Sequence, residues 1–306
     1  LAESFGHRMQ SDDPSPLITV AMPIYNGGRF LRAAVLSIVK QTFADWELLI
    51  IDDGSTDGSL EFIQDIKDSR IRVIRDDLNK GLAARLNEAI DLAGGRFFAR
   101  MDQDDISYPE RFAHQVAMLD NDSNLDLVGV RAIAISQDDQ IVGVFPYVIN
   151  HSELCAKPWR GFYLSHSTWM GKTEWFRRHR YATPAPYMSE DFELLLRSFS
   201  VSRFGIVPEI LFAYRLRDKI VWRKALKTRW VVLKLQVKYL LRKKQFVYGM
   251  LAITAFLIRV TMDFFNVVLQ IIHAPIFIKF RGAVDTAIEV KWRNVLKFVS
   301  SAMPNP

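Results

Sequence analysis

Arg96-Phe97-Phe98-Ala99-Arg100-Met101-Asp102-Gln103-Asp104-Asp105 is an apolar run that breaks into three carboxylates within four residues. Gly94-Gly95 before it is a turn signal, and Pro109 after it opens a helical pattern at Phe112, Val116 and Leu119. The segment therefore reads as strand, acidic loop and helix. Like charges this close repel, and each loses hydration at a strand end, so a divalent cation with a preference for oxygen would stabilise them. Taken alone, the cluster is better explained as an acidic surface turn with an aspartate capping the next helix. What decides is the company it keeps.

The same grammar runs through the residues upstream. Residues 17–22 are almost wholly apolar and halted by Pro23, as in a strand buried on both faces of a parallel sheet, and Ile24-Tyr25-Asn26-Gly27-Gly28 is the turn after them. A helix with Phe30, Leu31, Ala34, Val35, Ile38 and Val39 on one side leads to Gln41-Thr42-Phe43. A second strand, residues 46–51, ends in Asp52-Asp53-Gly54. Then come a helix through Leu60, Ile63 and Ile66, a strand at 71–74, the loop Asn79-Lys80-Gly81 and a helix through Leu82, Leu86 and Ile90. This alternation implies an α/β fold, a Rossmann-like, mostly parallel, doubly wound sheet with helices on both faces. Ligands of such sheets bind beyond the carboxyl ends of the strands, where strand order reverses. Tyr25-Asn26, Asp52-Asp53, Asn79-Lys80-Gly81 and the acidic cluster all follow strands and so fall on that edge.

No G-x-G-x-x-G follows the first strand and no G-x-x-x-x-G-K-[ST] occurs, which disfavours a dinucleotide oxidoreductase and a P-loop phosphotransferase. A bound diphosphate would have to be met by metal and side chains. The 306 residues are 49% hydrophobic, enough for a sizeable core, and the single cysteine, Cys155, excludes an intramolecular disulfide or a Cys-rich zinc site and fits a reducing compartment. Residues 1–16 carry charge and two prolines without an apolar core, and are expected to be a disordered tail rather than a secretory signal.

Beyond the acidic loop, residues 127–135 and 141–145 read as strands around the turn Gln137-Asp138-Asp139. An aromatic stretch from Tyr147 through Trp159 and Phe162-Tyr163 to His166-Ser167-Thr168 serves equally well as a sugar-stacking surface or as ordinary core. Ser189-Glu190-Asp191 reads as a helix start with Ser189 as N-cap and acids in the first turn. A carboxylate kept ionised at a helix N-terminus suits a general base.

Taken together these residues resemble glycosyltransferase family 2, the inverting nucleotide-sugar transferases of the GT-A type. The resemblance covers roughly residues 17–217. It is carried by Met-Pro-Ile-Tyr-Asn at 22–26, Gln-Thr-Phe at 41–43, Ile-Asp-Asp-Gly-Ser-Thr-Asp at 51–57, Asn-Lys-Gly-Leu-Ala at 79–83, Met-Asp-Gln-Asp-Asp at 101–105 with Pro109 and Arg111, His-Ser-Thr at 166–168, Glu190-Asp191 and Leu-Phe-Ala-Tyr-Arg at 211–215. The resemblance implies that Pro23, Tyr25 and Asp53 hold the nucleoside, with Lys80 beside them and Asp102 by the ribose and diphosphate. Asp104, with Asp105, would bind Mg²⁺ or Mn²⁺, Asp191 would be the catalytic base, and His166 and Glu190 would lie on the acceptor side. The implied activity is metal-dependent transfer from a nucleotide-diphosphate donor, a UDP-sugar, to a glycan or lipid-linked acceptor in cell-surface polysaccharide or lipopolysaccharide synthesis. Direct displacement needs one base and one neutralised leaving group, so no second catalytic acid is expected.

The competing readings are a catalytically silent nucleotide-sugar-binding protein and a nucleotidyltransferase. Intact acids disfavour the first, and the lack of an extended basic first loop disfavours the second. The family's Gly-aromatic element before the Glu-Asp pair is replaced here by His179-Arg180-Tyr181-Ala182. Arg229-Trp230 follows Leu226 where a processive synthase would have Gln, so processive synthesis is not expected.

Residues 218–306 form a helical, basic and amphipathic region. The net charge is +6, and residues 215–244 hold twelve Lys or Arg against Asp218 alone. Trp222, Leu226, Trp230, Leu233, Val237 and Leu241 recur at helical spacing beside Arg223, Lys227, Lys234, Lys238 and Arg242. We expect a peripheral anchor on the cytoplasmic face of the membrane through residues 221–280, with a span through 246–272 or a packed helical subdomain as alternatives. Nucleic acid is not expected as a partner, because an apolar stripe has no use on a phosphate backbone.

Overall fold

The structure, a computed structural model, describes residues 15–217, 221–272 and 284–301. The expected tail lies almost wholly outside the described residues, as does the 273–280 portion of the expected membrane-associating stretch.

The first half is the alternating unit read from the sequence: β1 (Ile18–Ile24), α1 (Leu31–Val39), β2 (Trp46–Asp53), β3 (Ile71–Asp76), α2 (Leu82–Leu92) and β4 (Phe97–Arg100). Strands β1, β2 and β4 are apolar and buried, with helices covering both faces. The next elements are β5 (Ile106–Ser107), α3 (Arg111–Asn121), β6 (Leu127–Ile135), β7 (Ile141–Val144), α4 (His151–Cys155), β8 (Met170–Lys172), α5 (Thr173–Arg178), α6 (Glu190–Ser198) and β9 (Phe204–Arg215). One sheet runs β3-β2-β1-β4-β8-β6-β9-β5, with β7 on β6. Its first four strands are parallel, and β8 enters antiparallel to both β4 and β6. Strand order reverses between β1 and β4, so the crevice beyond their carboxyl ends receives Tyr25 and the acidic loop.

Some local expectations shift. Pro23 does not halt β1, which continues to Ile24. The Leu17 and Ala21 carbonyls accept from β4-side amides, so alternate residues face β4, and Pro23 sits on that side where β4 pairing has already ended at Ala21–Arg100. Its missing N–H therefore leaves no ladder bond unmade. The helix expected through Leu60, Ile63 and Ile66 is a single 3-10 turn, Ser59–Ile63, entered from Gly58 in the left-handed region. Ser189 occupies the N-cap position of α6, but its hydroxyl donates to Tyr187 O instead of accepting a helix amide. Gly95, read as a turn signal, is required by close approach, since a Cβ there would lie 2.5 Å from Thr19 N.

The C-terminal region is a helical hairpin, α7 (Trp222–Arg242) and α8 (Phe246–Ile271), followed by α9 (Thr286–Ser300). α9 returns to the sheet domain. Its Trp292, Val295 and Val299 are buried in the main core, the Trp292 indole donates to Asp139 O, and Lys40 Nζ donates to Ser301 O. α8 is long and apolar enough, by length and composition, to cross a membrane.

Candidate active site

The acidic loop is held from three sides. From the front, Gln103 makes a two-way bond with the loop after β1: its Oε1 accepts from Tyr25 N at 2.7 Å and its Nε2 donates to Tyr25 O at 3.0 Å. Tyr25 itself is left exposed on the crevice edge. From below, the buried Arg111 donates to Arg100 O at 2.9 Å and to Gln115, while Gln41 ties α1 to Ser107 and Tyr108 just past the loop. From behind, β9 pairs with β5, and Arg215 at its end donates its amide to Asp105 Oδ1 at 2.8 Å and its Nε to Asp104 O at 2.8 Å. The Arg215 guanidinium also bonds Ser136 O, pairs with Asp139 and lies over the Phe30 ring.

Asp102, Asp104 and Asp105 each bring a carboxylate oxygen to within 4.8 Å of the others. Their protonation reflects the crowding. Burial first, and then the Asp102 charge, pushes Asp104 up to about 6, and burial with the Asp102 and Asp104 charges also raises Asp105 well above the ordinary carboxylate range. The Asp105 carboxylate is almost completely buried, and its Oδ2 has no well-aligned hydrogen bond, its polar neighbour being the equally buried Ser167 hydroxyl. A buried carboxylate oxygen without a well-aligned bond, crowded by two more carboxylates whose mutual repulsion a cation would relieve, is a donor set suited to a hard cation, so the residues fit Mg²⁺ or Mn²⁺. Asp102 is committed differently: both its oxygens are taken by Arg100, Nη2 to Oδ1 at 2.6 Å and Nη1 to Oδ2 at 3.0 Å. That bidentate grip leaves Asp104 and Asp105 as the freer pair.

Arg100 is buried and also links the acidic loop to the other candidate residues. Glu190 and Asp191 start α6, and both feel the Arg100 and Asp102 charges. Burial raises both acids. For Asp191 the Phe192 amide and Arg100 oppose that rise. His166 is held well below its ordinary range by burial and by Arg100, and its Nε2 lies 2.7 Å from Tyr181 Oη, so it is a neutral ring. The Tyr181 backbone is in turn gripped by both ends of the Asn87 amide. His166 is bonded to Tyr181, and Tyr181, Glu190 and Asp191 all lie within reach of the Arg100 and Asp102 charges, so Arg100 links this group to the acidic loop.

At the end of β2, Asp53 accepts from Lys80 N at 2.7 Å, Gly81 N at 2.9 Å and the buried Arg85 Nε at 2.7 Å. It clamps the Asn79-Lys80-Gly81 loop, in which Gly81 has φ +86°. The Lys80 ammonium pairs with Asp76. Asn26 ties the first two loops together through Ser55 Oγ and Thr56 N. Pro23 is buried beneath this edge.

Arg100, Gln103, Arg215 and Tyr181 had no role in the sequence reading. The Leu-Phe-Ala-Tyr-Arg motif signalled Arg215 without saying what it does. An arginine two residues before an acidic loop was the signal for Arg100. The aromatic stretch resolves mainly as packing, with Phe162 against Phe192 and Phe199 of the α6 region and Trp159 against the α7–α8 cluster.

Residues 19–180 match the family described as Glycosyl transferase family 2. The UDP-Glc:alpha-D-GlcNAc-diphosphoundecaprenol beta-1,3-glucosyltransferase WfgD of Escherichia coli is 34% identical over 140 residues, 45% of this chain and 54% of that protein. This chain spans only part of the length of the curated relatives it matches, as the 45% and 54% coverages of two of them illustrate. Among solved structures, S. aureus TarS 1-349 in complex with UDP aligns with a TM-score of 0.60 at 16% identity, covering 92% of this chain and 79% of that one. The mannosyltransferase PcManGT from Pyrobaculum calidifontis, in complex with GDP-Man and Mn2+, aligns at 0.57 and 14%, covering 93% and 85%. These likenesses establish the GT-A type fold. With the family match extending over more than half of its residues, the chain belongs to glycosyl transferase family 2.

Proposed function

We propose that this enzyme transfers a sugar, with inversion, from a nucleotide-diphosphate donor, a UDP-sugar, to a glycan or lipid-linked acceptor at the cytoplasmic face of a membrane, in the synthesis of a cell-surface polysaccharide or lipopolysaccharide. The observation that carries this reading is the convergence of Asp102, Asp104 and Asp105 at the β1/β4 switch point, with Asp191 within reach of the Asp102 charge. The E. coli relative, whose name carries UDP-Glc and a diphosphoundecaprenol-linked sugar, and the UDP bound to TarS support the choice of donor and acceptor class.

In this account Pro23, Tyr25 and Asp53 hold the nucleoside, with Lys80 at the rim. Arg100 keeps Asp102 aimed toward the ribose and diphosphate. Asp104 and Asp105 would hold Mg²⁺ or Mn²⁺, which when bound supplies Lewis-acid neutralisation of the departing diphosphate. Asp191 removes the acceptor hydroxyl proton as the new C–O bond forms on one face of the anomeric carbon and the bond to the diphosphate breaks on the other. His166, neutral and fixed by Tyr181, and Glu190 border the acceptor hydroxyl without needing to exchange a proton.

The test is Asp191→Asn. Metal-dependent UDP binding, followed by calorimetry, is expected to persist while transfer falls by about 10²–10⁴-fold. Full transfer by the variant would remove Asp191 from the mechanism.

A further inference from the structure

We propose that α7 and α8 form a monotopic docking surface for an anionic lipid bilayer, with α8 lying flat in the interface rather than crossing it. The proposal rests on the membrane-acceptor reading only for the direction in which the active site faces.

α8 has one polar side and one apolar side. Its two charged residues, Asp263 and Arg259, recur at helical spacing with Asn266 and Gln270, and so share one face. That face points inward. Asp263 pairs with Arg229 of α7 at 2.9 Å, the Arg259 guanidinium donates to Arg160 O, and Asn266 is buried. The opposite face carries no charge over the full helix, which is roughly 39 Å long. Val247, Met250, Ile253, Leu257, Phe264 and Phe265 stand there 46–70% exposed. An uncharged face of that length is far more apolar surface than a protein leaves to water without a partner.

The chemistry beside it names the partner. Exposed Lys224, Lys227, Lys234, Lys238 and Arg242 line α7, and the turn into α8 adds Lys243 and Lys244. Trp230, half exposed, packs on Phe256 beneath the Lys234 ammonium. An apolar stripe flanked by lysines with an indole at the boundary is complementary to acyl chains under anionic headgroups.

Connectivity excludes a crossing. α7 is seated on the catalytic domain through Gln236, which donates to Pro158 O and Trp159 O, and through Tyr239 against Phe199. α9 is packed into the same domain. Were α8 to span, the eleven residues 273–283 would have to recross about 30 Å of hydrocarbon. As a helix they reach only about 17 Å. Extended, they would leave their backbone groups unpaired in lipid. Both ends of α8 therefore lie on one side. Lys227 stands 3.9 Å from the Tyr187 ring, two residues before Ser189, so the same surface borders the start of α6 and brings a bilayer-embedded acceptor toward Asp191.

The test is cosedimentation of the full chain with phosphatidylcholine vesicles, with and without phosphatidylglycerol, followed by an alkaline carbonate wash. Binding to the anionic vesicles that weakens with salt and is released by carbonate is expected. Leu257→Glu with Met250→Glu should reduce binding about tenfold or more, and Lys234→Ala with Lys238→Ala about thirtyfold on anionic vesicles. All four positions are exposed, and an unchanged circular dichroism spectrum and melting temperature confirm folding. Retention after carbonate overturns the flat geometry. Failure to bind either vesicle, or a dimer in sedimentation velocity that the glutamates disrupt, overturns the lipid partner. Vesicle binding needs no donor, metal or turnover, so its failure leaves the transferase chemistry standing, and failed donor binding leaves the docking surface standing.

Discussion

In metal-free protein, replacing Asp104 with asparagine should stabilise the fold while abolishing its response to Mn²⁺. Asp104 is raised from an ordinary 3.8 to about 6, chiefly by burial and then by Asp102. A carboxylate raised in this way contributes stability that is fully present below about pH 4 and is lost as pH climbs through about 6. The difference of about two pH units, at about 1.4 kcal/mol each, makes the ionised group cost about 3 kcal/mol at neutral pH. The substituted amide carries no charge, so the gap between variant and parent should open between pH 4 and 6 and then hold. At pH 7.5 it should appear as a melting temperature several degrees higher, at most about 10 °C. The assay is thermal unfolding across pH in chelator, repeated with Mn²⁺. The parent should gain from Mn²⁺ and the variant should not. A variant melting at or below the parent across neutral pH in chelator would refute the crowding argument, and one that keeps the parent's Mn²⁺ gain would refute the assignment of Asp104 as a ligand.

Removing the support behind the loop should act in the opposite sense. Arg215→Ala strips bonds to Asp104 O and Ser136 O and the ion pair to Asp139, and should lower stability by about 2–4 kcal/mol in urea unfolding and weaken Mn²⁺-induced stabilisation. Arg100→Lys keeps the positive charge within reach of Glu190 and Asp191 but loses the two-pronged grip on Asp102. It should reduce kcat/KM for the donor by about tenfold while leaving the acidic limb of the pH profile in place, because that limb depends on the charge.

The parallel half of the sheet was legible because its strands are buried on both faces and its loops carry distinct polar signatures. The later strands were harder. β8 is three residues long and shows no alternation, and β9 carries Pro208 in mid-strand, where register shifts against β6 accommodate it. The acids of the site stood out in the sequence because carboxylates cluster visibly. Their supports did not. Gln103 and Arg215 act through contacts 78 and 111 residues apart, and Arg100, whose grip on Asp102 is local, reaches Glu190 and Asp191 only because the folded sheet brings them near. α8 was read as short of a span because Arg259 and Asp263 interrupt its apolar run, and only the fold turns both residues to one partnered face.

The claim on which the account depends is that the acidic loop holds a nucleotide sugar through a divalent cation. Calorimetric titration of UDP- and GDP-sugars into chelator-treated protein, with and without Mn²⁺, tests it most directly. The account predicts saturable binding of one UDP-sugar only when Mn²⁺ is present, unchanged in Asp191→Asn and lost in Asp104→Asn. Binding of the same donor at equal strength without any divalent cation, or no binding of any nucleotide sugar with Mn²⁺ present, would contradict it.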